Sequence, residues 1–309
     1  REPWEPPLKA RNHALAASFL EVAARSRHVD VRVLAAAELD DLDSPSADGL
    51  LLAMFVDRFA EVRAAAVAAY ARRVDKRGAA VEPLEEVLRA GVRETMLAAA
   101  EGVALRKLPS AFRALLLYVR AGQGNEPVRA LLSLGTLGDA RALPELETIA
   151  DGGTEDLPVE LPMQAAALEA LGRLCPALRD AEARERILDR LEAKLSAKES
   201  ELVVSAIAGL RHVGGERARA RLCGILASSS GSLFAHQAAA EALGRLGDVE
   251  AEGTLARALD SWHKSVRWAA QKALDRLFPE QRTRVELLAL GSRHEDIAES
   301  AANFLASEG

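Results

Sequence analysis

Six histidines, two cysteines and many carboxylates are the residues of this 309-residue chain that could do chemistry. Metal binding and acid–base catalysis both need several such groups to converge. His13, His28, His212, His236, His263 and His294 form no His-Glu-x-x-His pattern and no pair one helical turn apart, so their spacing supplies no ligand set. Cys175 and Cys223 are too few for a disulfide framework and too far apart for a zinc knuckle. Each reads as a small, reduced hydrophobe. There is no Gly-x-Ser-x-Gly elbow and no cysteine beside a histidine, and Gly152-Gly153 and Gly214-Gly215 read as turn glycines rather than a phosphate loop. No catalytic residue, metal ligand or cofactor is therefore expected.

The elements that must position any site are helices. Alanine alone accounts for 62 residues, and Ala, Leu, Glu and Arg dominate, while aromatics are 4%. That is the composition of long helices and opposes an all-β fold. The formal charge is -6, which counts against a nucleic-acid binder. The 33 Arg against 7 Lys reflect a GC-rich, bacterial coding bias. No apolar run approaches the length of a membrane span, and no signal-peptide order is present. A cytoplasmic protein is expected. The chain opens on Arg1 rather than Met, and one reading is an excised module of a larger protein.

A repeat runs through nearly all of it. Val31-Arg32 leads to Leu39, Val62-Arg63 to Tyr70, Val92-Arg93 to Ala100, and Val266-Arg267 to Leu274. Ile297 leads to Leu305 in the same way. Leu134-Gly-Thr-Leu-Gly-Asp139 matches Leu243-Gly-Arg-Leu-Gly-Asp248, with a shorter copy at Leu171. The closing apolar residues stand at 39, 70, 100, 134, 171, 210, 243, 274 and 305, spaced by 30 to 39 residues. Each unit reads as two helices; in the eighth they are predicted over 252–259 and 265–277. One hairpin cannot bury its apolar stripe alone, and stacking neighbours buries it continuously. The wide middle steps place extra loop residues at 122–125 and 151–158, both rich in turn formers, where irregular loops and a bend are expected.

The run Ala239-Ala-Glu-Ala-Leu-Gly-Arg-Leu-Gly-Asp248, with Leu255, Leu259-Asp260, Val266-Arg267, Ala270 and Ala273-Leu274, resembles the HEAT family, in its short HEAT-like type known from phycobilin lyases. The resemblance implies an all-α fold: an α-solenoid of about nine HEAT-like helical hairpins forming a right-handed superhelix over residues 12–309. Residues 1–11, with Pro3, Pro6 and Pro7, read as an N-terminal arm or linker remnant. In one HEAT enzyme family, the deoxyhypusine hydroxylases, repeated His-Glu pairs hold iron; this chain has one such pair, His294-Glu295. The expectation is therefore not an enzyme but a protein-interaction scaffold or adaptor that binds a partner on its concave face. The alternative is a nucleic-acid-interacting or DNA-base-processing protein of the HEAT-like glycosylase type.

The resemblance also implies that the second helices line the binding face. Wheel positions there carry Asp40, Glu94, Glu101, Glu169, Arg211, Glu241, Lys272, Asp275 and Glu299, seven acids against two bases. A basic protein segment is the expected partner. Trp268 falls beside Lys272 and Asp275 and is read either as a partner anchor or as packing on Asn303 and Phe304. Trp262 and His263 are close by. The candidate partner-binding residues are Trp268, Lys272, Asp275, Glu241, Arg211, Glu169, Glu101 and Glu94. The recurrent Arg32, Arg63, Arg93, Arg129 and Arg267 are read as structural. The family implies pairing with an acid in the preceding turn, which Asp57 and Asp260 offer to Arg63 and Arg267. No acid precedes Arg93.

Overall fold

A computed structural model of the chain describes residues 8–154, 157–228 and 231–308. Among these residues eighteen α-helices follow one another as the arms of nine hairpins. Contacts divide the chain into two units, one ending at Asp139 and the other starting at Ala140. In the first unit the hairpins are α1 (Leu8–Ala24) with α2 (Val29–Leu39), α3 (Pro45–Met54) with α4 (Ala60–Lys76), α5 (Glu82–Ala90) with α6 (Arg93–Leu105), and α7 (Phe112–Ala121) with α8 (Glu126–Leu137). In the second they are α9 (Leu143–Ala150) with α10 (Leu161–Leu174), α11 (Ala181–Lys194) with α12 (Ser200–Val213), and α13 (Gly215–Ala227) with α14 (Leu233–Leu246). α15 (Glu252–Ala258) with α16 (Lys264–Leu277) and α17 (Arg282–Leu290) with α18 (Glu295–Glu308) complete it.

Second helices form a packed row within each unit. α2 lies on α4, α4 on α6 and α6 on α8; α10 lies on α12, α12 on α14 and α14 on α16. The alanines of these helices allow the close approach, and each first helix covers its own partner. The repeat anchors therefore sit at the centre: Leu39, Tyr70, Ala100, Leu134, Leu171, Leu210, Leu243 and Leu274 are all buried. Leu305, in the ninth hairpin, is half-buried. In the eighth hairpin the two helices coincide with the sequence expectation to within a residue at each end.

Local signals explain the helix ends. Pro83, Pro127, Pro144 and Pro162 lie in first turns, where a missing N–H costs nothing. Ser232 and Asp180 cap α14 and α11 through their side-chain oxygens. The second glycine of the Leu-Gly-x-Leu-Gly-Asp marker stops the helix: Gly138 and Gly247 have φ of 74° and 77°, the left-handed region.

Two sequence expectations are corrected. Leu8 through Arg11 belong to α1 and not to an arm, because the last helix breaker is Pro7 and the residues after it favour a helix; residues 1–7 lie outside the described residues. In the 151–158 loop a two-stranded antiparallel ladder pairs Gly153 with Pro158 and Thr154 with Leu157, giving that connection regular structure. No helix among the described residues is long and apolar enough to cross a membrane.

Candidate functional site

The recurrent arginines form a ladder, and its direction differs from the expected one. Arg32 donates to the Asp57 carboxylate at 2.7 and 3.0 Å, Arg63 to Glu94, and Arg93 reaches Glu126 at 3.4 Å. In each case the acid belongs to the following hairpin, not to the preceding turn. What the preceding turn supplies is a carbonyl six residues back: Ser26 for Arg32, Asp57 for Arg63 and Ser261 for Arg267. Asp57 thus gives Arg63 its backbone oxygen and Arg32 its carboxylate, which the Arg32 bond and the Phe59 N–H keep ionised below the usual range against burial. Asp260 does not hold Arg267 either; it accepts from the Arg293 N–H and the Ser292 hydroxyl of the next turn. Arg129 turns backward to Glu101, in a bidentate pair at 2.8 and 2.6 Å.

These pairs consume the acids predicted for the binding face of the first unit. Glu94 and Glu101 are engaged by Arg63 and Arg129. Asp40 is buried and accepts from Arg72 and Lys76 of α4. None of the three is a free negative charge.

In the second unit the structure does bring predicted residues together. Glu169 of α10, Arg211 of α12 and Glu241 of α14 line one cavity of about 170 Å³, with Arg245 also on its wall. Glu169 accepts from Arg173 one turn ahead at 2.7 Å, and His212 stands 3.6 Å away. His212 and then Arg173 hold the Glu169 carboxyl down at about 2, against the opposing effect of burial. The Arg211 Nη2 lies 2.6 Å from the His212 Nε2. Glu241 accepts from Gln237 at 3.1 Å and forms no ion pair.

Arg245, Lys272 and Arg276 are exposed and have no ion pair or hydrogen bond to any described residue. Lys272 was anticipated from the helical wheel; Arg245 and Arg276 were not. Both stand two residues after a repeat anchor, a spacing already present in the Leu-Gly-Arg marker. With Arg211 they make four bases on the second helices α12, α14 and α16. The local balance is thus the reverse of the acidic count made by position.

Two further candidates on α16 behave differently. Trp268 is half-buried and makes no hydrogen bond to a described residue, while Phe304, its proposed packing partner, has the Arg282 guanidinium 4.3 Å over its ring. Asp275 points into the hairpin rather than onto an open face: it is half-buried, its Oδ1 has no partner, and burial pushes its carboxyl up. Glu286 of α17 is buried too, and burial with the Asp275 charge raises it likewise. Gln271, also on α16, is only 7% exposed. The second helices are covered on more than one side, so their buried stripe is wider than a single amphipathic face. Trp262 is 82% exposed and stands edge-on to His294, with ring centroids 5.7 Å apart.

Among the described residues, no three His, Cys, Asp or Glu side chains are grouped as metal ligands would be. In the single His-Glu pair, the His294 Nε2 faces the Asp260 carbonyl at 3.2 Å.

No family model matches the chain, and no curated protein matches it in sequence. Solved structures do share its helical-repeat fold. Human deoxyhypusine hydroxylase, solved in complex with glycerol, is 18% identical over 97% of this chain and 98% of its own, with a TM-score of 0.36. An engineered protein is 17% identical over 93% and 87%, with a TM-score of 0.43. The CpcE–CpcF complex of phycocyanin lyase from Nostoc sp. is 20% identical over 93% and 96%, with a TM-score of 0.45. At these values the likeness is one of fold alone. It nevertheless corrects the expectation that the chain is not an enzyme: similar folds include a hydroxylase and a lyase, so the absence of catalysis does not follow from this architecture.

Proposed function

We propose that the chain is a HEAT-like repeat protein whose second unit binds an acidic segment of another protein across the second helices α12, α14 and α16. The observation that supports this reading is the set of four bases there, three of them free of any ion pair. Cations without an ion pair to a described residue occur elsewhere in the chain too, but Arg245, Lys272 and Arg276 stand on adjacent second helices beside Arg211, and such a grouping favours an acidic partner. The half-buried Trp268 adds an aromatic contact at the edge of the same row. A basic partner, expected from the wheel count, would meet like charge here.

The test is charge reversal at exposed positions. Affinity capture from the native host would compare the wild type with a Lys272→Glu, Arg276→Glu variant. All three free cations are exposed, so melting should stay within a degree or two. Proteins retained by the wild type and released by the variant are expected. Retention of the same proteins by both would refute the reading.

A further inference from the structure

Arginines as deeply placed as Arg211 elsewhere in this chain hold a carboxylate in a hydrogen bond. Arg32 does so on Asp57, Arg73 on Asp48 and Arg267 on Asp296. Arg211 does not. Its side chain is largely buried, its hydrogen bond is with the His212 ring, and the Glu169 carboxylate stands 3.8 Å away, already held by Arg173. None of its N–H groups is both buried and unpartnered, and the side chain lines the cavity between α12 and α14. Arg245 places a second guanidinium on the same wall, one with no ion pair to a described residue. Burial, and then the like charge of Arg245, disfavour the Arg211 cation. The only ion pair that a positive charge in that setting has with a described residue is a long one, to a carboxylate shared with Arg173.

The rest of the wall states what kind of anion fits. Val204, Ile207, Ala208 and Ala238 are apolar and suit a methylene stem. Glu169 and Glu241 bring two carboxylates to the same cavity. Their repulsion is tolerable for a single negative charge beside two guanidinium groups and adverse for a phosphate bearing more.

We infer, resting on the interface proposed above, that this cavity is the anchor pocket of that interface and receives one Asp or Glu side chain of the bound segment. The carboxylate pairs with Arg211 and Arg245, and the stem lies on Val204 and Ile207. Glu241 limits the pocket to one such group.

The test uses the full chain and an array of short peptides matched in hydropathy, either acidic, basic or neutral, with single-stranded DNA as a separate probe. Acidic peptides should bind in preference. Arg211→Gln and Arg245→Gln should each weaken that binding about tenfold, the loss expected for a charge-assisted hydrogen bond. Glu241→Gln should strengthen it. Should Arg211→Gln melt early, Arg245→Gln carries the test, because Arg245 is exposed and supports nothing in the fold. Acidic peptides that bind both arginine variants as tightly as the wild type, yet are released by Lys272→Glu, would overturn the pocket and leave the interface standing. Absence of any selective peptide binding, or a preference for DNA over every acidic peptide, would overturn both.

Discussion

Arg267 of α16 donates through Nε and Nη2 to the Asp296 carboxylate of α18, at 3.0 and 2.7 Å. The same guanidinium donates to the carbonyls of Ser261 and Trp262 in its own turn, at 2.8 and 3.2 Å. One nearly buried side chain therefore fixes a turn and ties it to the next hairpin. Arg267→Ala removes every one of these donors. Breaking a largely buried pair costs about 3 kcal/mol. Repeat units depend on their neighbours alone, so amide hydrogen exchange should quicken in α16, α17 and α18 and stay unchanged in the first unit. Protection lost evenly along the chain, or not at all, would contradict this account.

Arg73 of α4 is a second hub, and only 2% of it is exposed. It donates to the carbonyls of Leu39, Leu42 and Ser44, at 2.9, 2.7 and 3.1 Å, and to the Asp48 carboxylate. It thus closes the turn between the first two hairpins with a single side chain. Lysine keeps the charge but loses the planar fork, and several buried carbonyls would then lack donors. Arg73→Lys should cost about 3 kcal/mol in urea unfolding of the first unit. A loss under about 1 kcal/mol would mean that water replaces the fork.

The repeat was legible because its anchors are central: a residue touching its own partner helix and both neighbours has to be apolar at every turn, as Leu39 through Leu274 are. The turn glycines were legible for a similar reason. Partners of charged residues were not. Arg63 and Arg267 have acids nearby in sequence, but a stacked array puts the next hairpin closer to the guanidinium than the preceding turn, and sequence distance hides that. The wheel also misplaced Asp275, since it represents one helix against one surface while α16 meets α14, α15 and α17. The cluster around Arg211 was half visible: Glu169, Arg211 and Glu241 followed from the repeat register, whereas Arg245 and Arg276 lie at a register position the wheel left out.

The first glycine of the Leu-Gly-Arg-Leu marker has a packing role that can be tested directly. A Cβ added at Gly172 of α10 would stand 2.3 Å from the Gly209 carbonyl oxygen and 2.4 Å from its Cα on α12. Backbone meets backbone there, and no side chain can move aside. Alanine ordinarily gains about 1 kcal/mol over glycine inside a helix. Here Gly172→Ala has to push α10 and α12 apart, and overpacking of this kind costs about 2 kcal/mol net. Gly224 of α13, whose Cβ would meet nothing within 4 Å, is the control: Gly224→Ala should stabilise. Equal effects at both sites would show that propensity, and not the helix crossing, governs them.

Buried carboxyls in the second unit should give opposing limbs to its pH dependence. Glu169 is held at about 2, against an ordinary 4.5. A depressed folded value means that its stabilisation is present above the unfolded value and is lost as the pH falls from about 4.5 toward 2; the shift corresponds to roughly 3 kcal/mol. Burial raises Asp275 and Glu286, and a raised folded value has the opposite sign. Their contribution is complete below the unfolded values and is lost as the pH rises through the folded ones, so ionising either carries a cost. Urea unfolding at stepped pH separates the two. Glu169→Gln should be less stable than the wild type at pH 7, with the gap closing near pH 2. Glu286→Gln should be more stable at pH 7 by about 1 kcal/mol, because replacing a poorly paired buried charge relieves its desolvation, and the gain should vanish in acid. The two residues lie hairpins apart, on α10 and α17, so the double variant should show the sum of the two effects. A Glu169→Gln deficit that persists unchanged at pH 2 would show that shape, and not charge, matters there. A Glu286→Gln loss at pH 7 would show that Arg282, 3.8 Å away, is a sufficient partner after all.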